Sequence, residues 1–427
     1  MVRILLLVLD GVADDPKRGA TSLELASIPG LDELARMSVA GGFYPIAPGI
    51  APESDAAVLS LLGYDPEKYV VGRGLLEALG AGISIKEGYE VAFRANFATV
   101  DTSTRKLIDR RVGRSLSTEE ARELAKALDG MELSGGGYAR VVATVGHRAV
   151  VVIGSKARKL SADVSNIDPA YERRGRISVA VRSFEPYVPR CRPLVDSDEA
   201  RETCRLIDEF VERSMEILDK HPVNLERASR GLLKANVLLL RDAEDHYPSI
   251  PPISQLYNGL RFGAVAEMPV EKGIARLVGM EVAEVPPPTP NKASDYAQRL
   301  EKTLELLEKV DVVYVHLKGP DEPGHDGDKK RKVESIELID KYFVQPLLKK
   351  VDLEKIAIIV TADHATPPEV RSHTGDPVPL LLAYAKLKPD GLTRFTEKEC
   401  FEKGSLGIME KGSVVLKRIV ELLKRSS

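Results

Sequence analysis

The stretch IAIIVTADHATPPEVRSHTGD, residues 356–376, runs from an unbroken apolar segment straight into an acid and a histidine. Its first part, IAIIVT (356–361), is apolar at consecutive positions rather than alternate ones, which marks a strand buried on both faces. Strands of that kind form largely parallel sheets covered by helices, and reactive groups gather beyond their carboxyl ends. Asp363 and His364 stand at such an end, and His373 follows within a proline-containing loop.

The pattern recurs along the chain. ILLLVLD (4–10) closes in Asp10, and VVYVHL (312–317) leads through Lys318 to Asp321, with His325 four residues on. VLLL (237–240) and AVAEM (264–268) read as further strands. Helical periodicity covers 31–37, 54–63, 198–220 and 294–309, and also 332–350, where Pro346 interrupts the end. This alternation predicts an α/β fold with a mostly parallel sheet flanked by helices. From about 88 to 185 the text changes to alternating β segments punctuated by glycine, including Gly135, Gly136 and Gly137, which predicts a smaller α+β domain inserted into the first. The expected division assigns 1–75 and 230–427 to one discontinuous domain and 76–229 to the insert. The segment 69–80 is the expected first hinge, and the polar helix 198–220 a candidate bridge.

Composition narrows the function classes. A chain of 427 residues exceeds one ordinary core. A net charge of -3 offers no basic footprint for nucleic acid, and no apolar run reaches membrane-spanning length. The opening MVRILLLVLDG lacks the length and cleavage pattern of a signal peptide. Cys191, Cys204 and Cys400 are odd in number and scattered, which fits a reducing, cytoplasmic setting. The absence of Trp, the abundance of charge and stiff loops such as VPPPTP point toward a thermophile. No heptad or interface stripe reports an oligomeric state.

Singly, Asp10 before Gly11 reads as a turn and Asp321 in GPDEPGHDGD as a solvated acid. Together the case differs, because three of the seven histidines fall beside acids that follow strand-like runs. Three acids brought into one cleft raise each other's pKa unless a cation joins them. Asp10, Asp321, His325, Asp363, His364 and His373 are therefore expected metal ligands. Imidazole with carboxylate suits Zn²⁺ or Mn²⁺, whereas an all-oxygen set favours Mg²⁺ or Ca²⁺. Ser54, in APESDAAVLSLLGYDP, stands where a loop becomes a helix. Unaided it reads as an N-cap. A helix start also favours an anionic phosphoryl group, and a hydroxyl on a divalent ion loses its proton more readily and becomes a nucleophile.

In this order, Asp10, Ser54, Asp321, His325, Asp363, His364 and His373 resemble the alkaline phosphatase superfamily of two-metal phosphoryl-transfer enzymes. Within it the chain resembles the archaeal type of 2,3-bisphosphoglycerate-independent phosphoglycerate mutase. LLLVLDGVAD, PESDAAVLSLLGYDP, GRGLLEALG, FRANFATVD, IDRRVGRSL, HLKGPDEPGHDGD and VTADHATPPEVRSHTGDPVPLL carry the likeness and together span nearly the whole chain.

The resemblance implies an alkaline-phosphatase-like domain holding two divalent ions and an inserted transferase domain. One ion would be held by Asp10, Ser54, Asp363 and His364, the other by Asp321, His325 and His373. Mn²⁺ is the first choice, with Zn²⁺, Co²⁺ and Mg²⁺ as the other candidates and no 2,3-bisphosphoglycerate. The implied reaction interconverts 3-phosphoglycerate and 2-phosphoglycerate, in glycolysis and gluconeogenesis, through a phosphoserine on Ser54. Lys272, in AEMPVEKGIARL, would sit near the serine and phosphate. The insert would bind the substrate carboxylate through members of the set Arg94, Arg110, Arg111, Arg173 and Arg174, with His147 as a polar contact and Asp101 as general base. A phosphatase or phosphopentomutase-like enzyme with the same ions is the alternative, and a non-catalytic metal-stabilised protein with Ser54 as a cap is the third reading. His316 is expected to be a buried, hydrogen-bonded histidine rather than a ligand, and Lys318 to reach the cleft or remain on the surface.

Overall fold

A computed structural model describes residues 2–175 and 177–426. The chain divides into two compact units, Met1–Val70 with Ile250–Ser427, and Val71–Ser249.

The first unit is built on an eight-stranded sheet. Its strands lie in the order Glu281–Ala283, Phe262–Val265, Val312–Leu317, Arg3–Leu9, Ile356–Thr361, Val378–Ala383, Ser38–Phe43 and Gly407–Met409. Only Val378–Ala383 runs against its neighbours. The three central strands are apolar almost throughout because both faces are covered, and every residue of Val312–Leu317 and Ile356–Thr361 is buried. Leu9 pairs with Leu317, and Val8 with Thr361, so the three strands end nearly level. Asp10, Lys318 and Asp363 follow those ends directly. The register alone delivers them to one edge of the sheet.

Pro346 does more than stop a helix. Lys329–Ile339 passes through a π-helical turn, Asp340–Val344, into Gln345–Leu348, and the Gln345 N–H bonds to Asp340 five residues back. A proline lacks the N–H that a regular ladder requires, and the wider turn absorbs the fault. The buried carboxylate of Asp340 then accepts the N–H groups of Gly30 and Leu31 at 3.2 and 2.7 Å. Those donors open the helix Pro29–Arg36, whose own N-cap residue Ile28 makes no side-chain bond.

The second unit carries an antiparallel sheet in the order Val237–Glu244, Glu90–Asp101, Arg148–Ser155, Gly137–Ala143 and Met131–Leu133. Helix Asp198–Asp219 buries Leu206, Ile207, Phe210 and Val211 in the larger core, while Leu75 and Ala78 of helix Arg73–Gly80 share a smaller core with Ala92, Val150 and Val152.

Three expectations need correction. The strand Val237–Glu244 pairs with Glu90–Asp101, so the return to the first unit falls at 249/250 rather than 230. Its run VLLL is apolar at every position because this sheet, too, is covered on both sides, and consecutive burial does not tell a parallel strand from an antiparallel one. Helix Asp198–Asp219 belongs wholly to the second unit rather than joining the two. The first break, at 70/71, lies inside the segment 69–80.

The third correction concerns the thiols. Cys191 and Cys204 form a disulfide, and only Cys400 is free and buried. Sequence separation hid the pairing, because the loop carrying Cys191 folds back onto the helix and its N–H bonds Asp208 at 2.9 Å. Closing a loop of that size is worth about 3 kcal/mol through chain entropy. Reduction, or Cys204→Ser, should lower the guanidinium midpoint of the second unit accordingly, and equal midpoints with and without reductant would show that the bond is not formed.

Candidate active site

Asp10, Asp321 and Asp363 meet the histidines at the edge of the first unit's sheet. The Nε2 of His364 lies 3.6 Å from Asp10 Oδ1 and 3.4 Å from Asp363 Oδ2, and 3.4 Å from Ser54 Oγ. Asp321 Oδ1 lies 3.4 Å from His325 Nε2 and 3.5 Å from His373 Nε2. The His364 and His373 rings stack with centroids 3.7 Å apart. Gly11 permits this crowding: its φ is +58°, and a Cβ there would sit 2.8 Å from Asp321 Oδ1.

Ser54 is the first residue of helix Ser54–Leu61, and the N-cap is Glu53, which makes no side-chain cap bond. The cap reading of Ser54 therefore loses its footing, and its hydroxyl is turned toward His364. The first N–H groups of that helix lie beside the cluster, a position that favours an anion.

The donors fit divalent ions. Two ligand atoms each 2.0–2.1 Å from one ion in tetrahedral geometry are separated by roughly 3.4 Å, and the carboxylate–imidazole separations fall around that spacing. Asp321, His325 and His373 form one group whose ligand atoms all lie within 4.8 Å of one another, and Asp10, His316 and Asp363 form a second. His325 Nδ1 faces Arg371 O at 3.2 Å and His373 Nδ1 faces Pro52 O at 2.7 Å. A carbonyl only accepts, so both Nδ1 atoms carry hydrogen and both Nε2 atoms turn toward Asp321. Asp10 Oδ1 is buried without a hydrogen-bond partner.

Electrostatics tell the same story. Burial pushes the Asp10 carboxyl up to about 8, with Asp363 and Asp321 adding to the rise and Lys318 opposing it. Burial lowers His364 to about 4. Burial would also lower His373, but its contacts with Asp321 and Pro52 O outweigh that and raise it to about 9. Burial leads each shift, and the neighbouring carboxylates raise Asp10 and His373.

Glu271 has no sequence signal, Lys318 is left open by the sequence, and His316 does more than the sequence implies. Lys318 Nζ lies 3.0 Å from Asp10 Oδ2 and 2.8 Å from Glu271 Oε1. His316 is buried as expected, yet it bridges the cluster, with Nε2 3.3 Å from Asp363 and Nδ1 3.4 Å from Glu271. Glu271 is 1 % exposed, and although burial resists its charge, Lys318 and His316 hold it ionised at about 2. Its neighbour Lys272, expected near the serine from the family likeness, pairs with Glu284 at 3.1 Å. The helix that carries it, Pro269–Leu277, does pack against helix Ser54–Leu61.

The second unit concentrates arginine. Arg94 and Arg241 stand directly opposite on neighbouring strands, an unfavourable pair unless anions intervene. A register shift follows Arg241, with Asp242 at φ +58°, and such a bulge re-aims side chains. Asp168 is fully buried between Arg241, at 2.8 Å, and Arg110, whose two bonds are 3.0 and 2.7 Å. Both guanidinium groups lie over the Tyr171 ring. Arg94 approaches Glu77 only to 3.6 Å, its Nε is buried without a hydrogen bond, and burial followed by Arg73 lowers its pKa to about 10. Burial, then Arg114 and Arg110, lowers Arg111. Arg173 bonds Gly175 O at 3.0 Å and keeps a buried, unbonded Nη1.

Two of the expected residues are engaged by local partners. Asp101 is exposed and accepts bonds from Ser103 N, Ser103 Oγ and Thr104 N; those bonds, led by the Ser103 hydroxyl, lower its pKa, so it organises its own turn and is a poor base. Arg174 is solvent-exposed and pairs with Glu172 at 3.2 Å on the same strand face, opposite the face of Arg173.

A mostly parallel sheet whose central strands end in carboxylates and imidazoles, with a serine at a helix start beside them, defines an α/β protein with a candidate divalent-metal site. Comparison with known proteins gives the family. A family model described as 2,3-bisphosphoglycerate-independent phosphoglycerate mutase matches residues 35–224. A protein of that name from Aeropyrum pernix is 47% identical over 99% of this chain and 100% of its own length. One from Archaeoglobus fulgidus is 41% identical, covering 98% of each. Among solved structures, the cofactor-independent phosphoglycerate mutase from Thermoplasma acidophilum aligns over 98% of this chain and 99% of its own, at 32% identity and a TM-score of 0.64. The chain belongs to the 2,3-bisphosphoglycerate-independent phosphoglycerate mutase family, and it is an enzyme.

Two measurements check the site. In chelated protein, adding a divalent ion should raise the unfolding temperature, by the equivalent of about 2.7 kcal/mol at one hundred times the Kd, and Asp321→Asn should blunt that rise. His147 supplies a pH test. Burial, followed by Arg148, Arg111, Arg114 and Arg241, lowers it from 6.5 to about 4. Between those values the unfolded chain binds a proton that the folded chain refuses. The contribution is complete above pH 6.5 and is lost as pH falls toward 4, so the acid limb of the stability curve should flatten in His147→Phe.

Proposed function

We propose that the enzyme interconverts 3-phosphoglycerate and 2-phosphoglycerate without 2,3-bisphosphoglycerate, through a phosphoserine on Ser54. The observation that carries this reading is the Ser54 hydroxyl at a helix start, 3.4 Å from His364 Nε2 and beside two groups of metal-type donors. Family membership at 47% and 41% identity over nearly the full chain supports it.

Asp10, Ser54, Asp363 and His364 would hold one divalent ion, and Asp321, His325 and His373 the other, with Mn²⁺ the first choice. When bound, such ions neutralise phosphoryl charge and lower the proton affinity of the serine hydroxyl. The remaining work falls to the protein. Ser54 Oγ forms a bond to phosphorus as the bond from phosphorus to the 3-oxygen breaks. The glycerate stays, and its 2-oxygen then takes the phosphoryl group from Ser54. Each hydroxyl that receives phosphorus gives up a proton and each oxygen released regains one, so the cycle is neutral. The helix start at Ser54 favours the transferring anion. Positioning and charge complementarity do most of what such a transfer needs.

The second unit supplies the cations for the substrate carboxylate. Arg94 suits the role because its guanidinium is largely buried and short of acceptors, and Arg110 and Arg241 are held rigidly by Asp168. Arg111, Arg173 and His147 complete the polar set, while Asp101 and Arg174 are left out.

A coupled assay on chelated enzyme, with metal returned, should form 2-phosphoglycerate equally well with and without 2,3-bisphosphoglycerate. Steady release of inorganic phosphate with no 2-phosphoglycerate would instead identify a phosphatase. Ser54→Ala should lower kcat by at least roughly 10³-fold while metal uptake is reduced only in part. Arg94→Ala removes a charge-assisted hydrogen bond of about 1.5–3 kcal/mol, and most of the loss should appear in KM.

A further inference from the structure

Thr366 is fully buried and held from several directions. Its N–H donates to Ala13 O at 3.0 Å, and its carbonyl accepts from Lys332 Nζ at 2.9 Å. The Lys332 ammonium, itself fully buried, also donates to Asp14 Oδ1 at 2.7 Å. Two glycines close over the residue: a Cβ at Gly11 would lie 2.7 Å from Thr366 Oγ1, and one at Gly324 would lie 2.5 Å from Thr366 O. The segments that carry Asp10, Asp321 and Asp363 therefore all touch this one side chain or its backbone.

The hydroxyl makes two bonds, 2.8 Å to Asp321 Oδ1 and 3.0 Å to His364 Nδ1. A carboxylate accepts only, so the single hydroxyl hydrogen goes to Asp321. The oxygen then presents a lone pair to His364, and Nδ1 must be the nitrogen that carries hydrogen. A neutral imidazole has one N–H, which leaves Nε2 as a bare lone pair. That atom is the one facing Ser54, Asp10 and Asp363 at 3.4–3.6 Å. His325 and His373 are set the same way by main-chain carbonyls, but for His364 the setting partner is a side chain.

We propose that Thr366 is a positioning residue whose hydroxyl fixes the tautomer and direction of His364 and at the same time orients Asp321, coupling the two groups of metal ligands. This rests on the ligand sets of the proposed function. Partners of metal ligands of this kind are typically worth 10–100-fold in affinity.

Thr366→Val keeps the shape and removes the oxygen, and Thr366→Ser keeps the oxygen. Titration of chelated protein with Mn²⁺, followed by electron paramagnetic resonance, should show binding weakened roughly 10–100-fold in the valine variant and near wild type in the serine variant. Nitrogen-15 spectra of the imidazoles in metal-free protein provide a second readout that needs no metal and no activity. They should report the Nδ1–H form of His364 in wild type and serine, and its loss in valine. Equal Mn²⁺ affinity in wild type and valine, or an Nε2–H form of His364 in the wild type, overturns the inference. Failure of wild-type protein to take up Mn²⁺ counts against the proposed ligand sets instead, and the tautomer spectra still decide the role of Thr366. Should the valine variant not fold, the wild-type and serine spectra remain decisive.

Discussion

Three parallel strands that end level with one another impose the constraint on which the site depends. Asp10 and Asp363 follow neighbouring strand ends, and Asp321 follows the third by a short turn, so acids far apart in sequence are drawn into one buried cluster. Like charges at a few ångström inside a protein interact far more strongly than in water. Everything placed around them answers that repulsion. Lys318 sits on Asp10, His316 spans Asp363 and Glu271, and Thr366 gives its hydrogen to Asp321. These partners leave Asp10 Oδ1 with none. A cluster so arranged is complete only with cations in it.

The second unit shows the same physics with the sign reversed. Arg94 opposite Arg241, with Arg110 and Arg111 nearby, brings several guanidinium groups close together. Asp168 and Glu77 offset part of the charge, and Tyr171 offers its ring face. Arg cannot shed its charge the way a buried Lys can, so these groups stay cationic and suit an anionic ligand. The first unit gathers carboxylates and imidazoles, and the second gathers arginines.

How much of this was legible in the sequence depended on whether the chemistry lay in the pattern or in the pairing. Acids and histidines following unbroken apolar runs stood out because a buried strand leaves nothing polar to compete with them. Glu271, two residues into a helix, carries no such contrast, and its role appears only when Lys318 and His316 close on it. Arg241 did offer a signal, a charge inside VLLLRD, but its strand was assigned to the wrong unit. Asp101 and Arg174 have suitable residue types, but their own turn and strand neighbours engage them. The disulfide needed the loop to fold back before Cys191 and Cys204 could be seen as neighbours.

The places where this chain departs from its own local rules are the places where its chemistry sits. Three acids that could each close a solvated turn are instead gathered beside one another at the ends of buried strands. A strand interior ought not to set arginine opposite arginine, yet Arg94 and Arg241 are paired across the sheet. Gly11 at φ +58° and Asp242 at φ +58° hold the backbone where most residues resist. Each departure costs stability, and the apolar strands beneath supply the surplus that allows it. A scaffold with looser strands would relax those charges apart. Rigid strand ends are therefore what keeps the carboxylates close enough to need ions, and that unmet need is what turns an ordinary serine at a helix start into a candidate nucleophile.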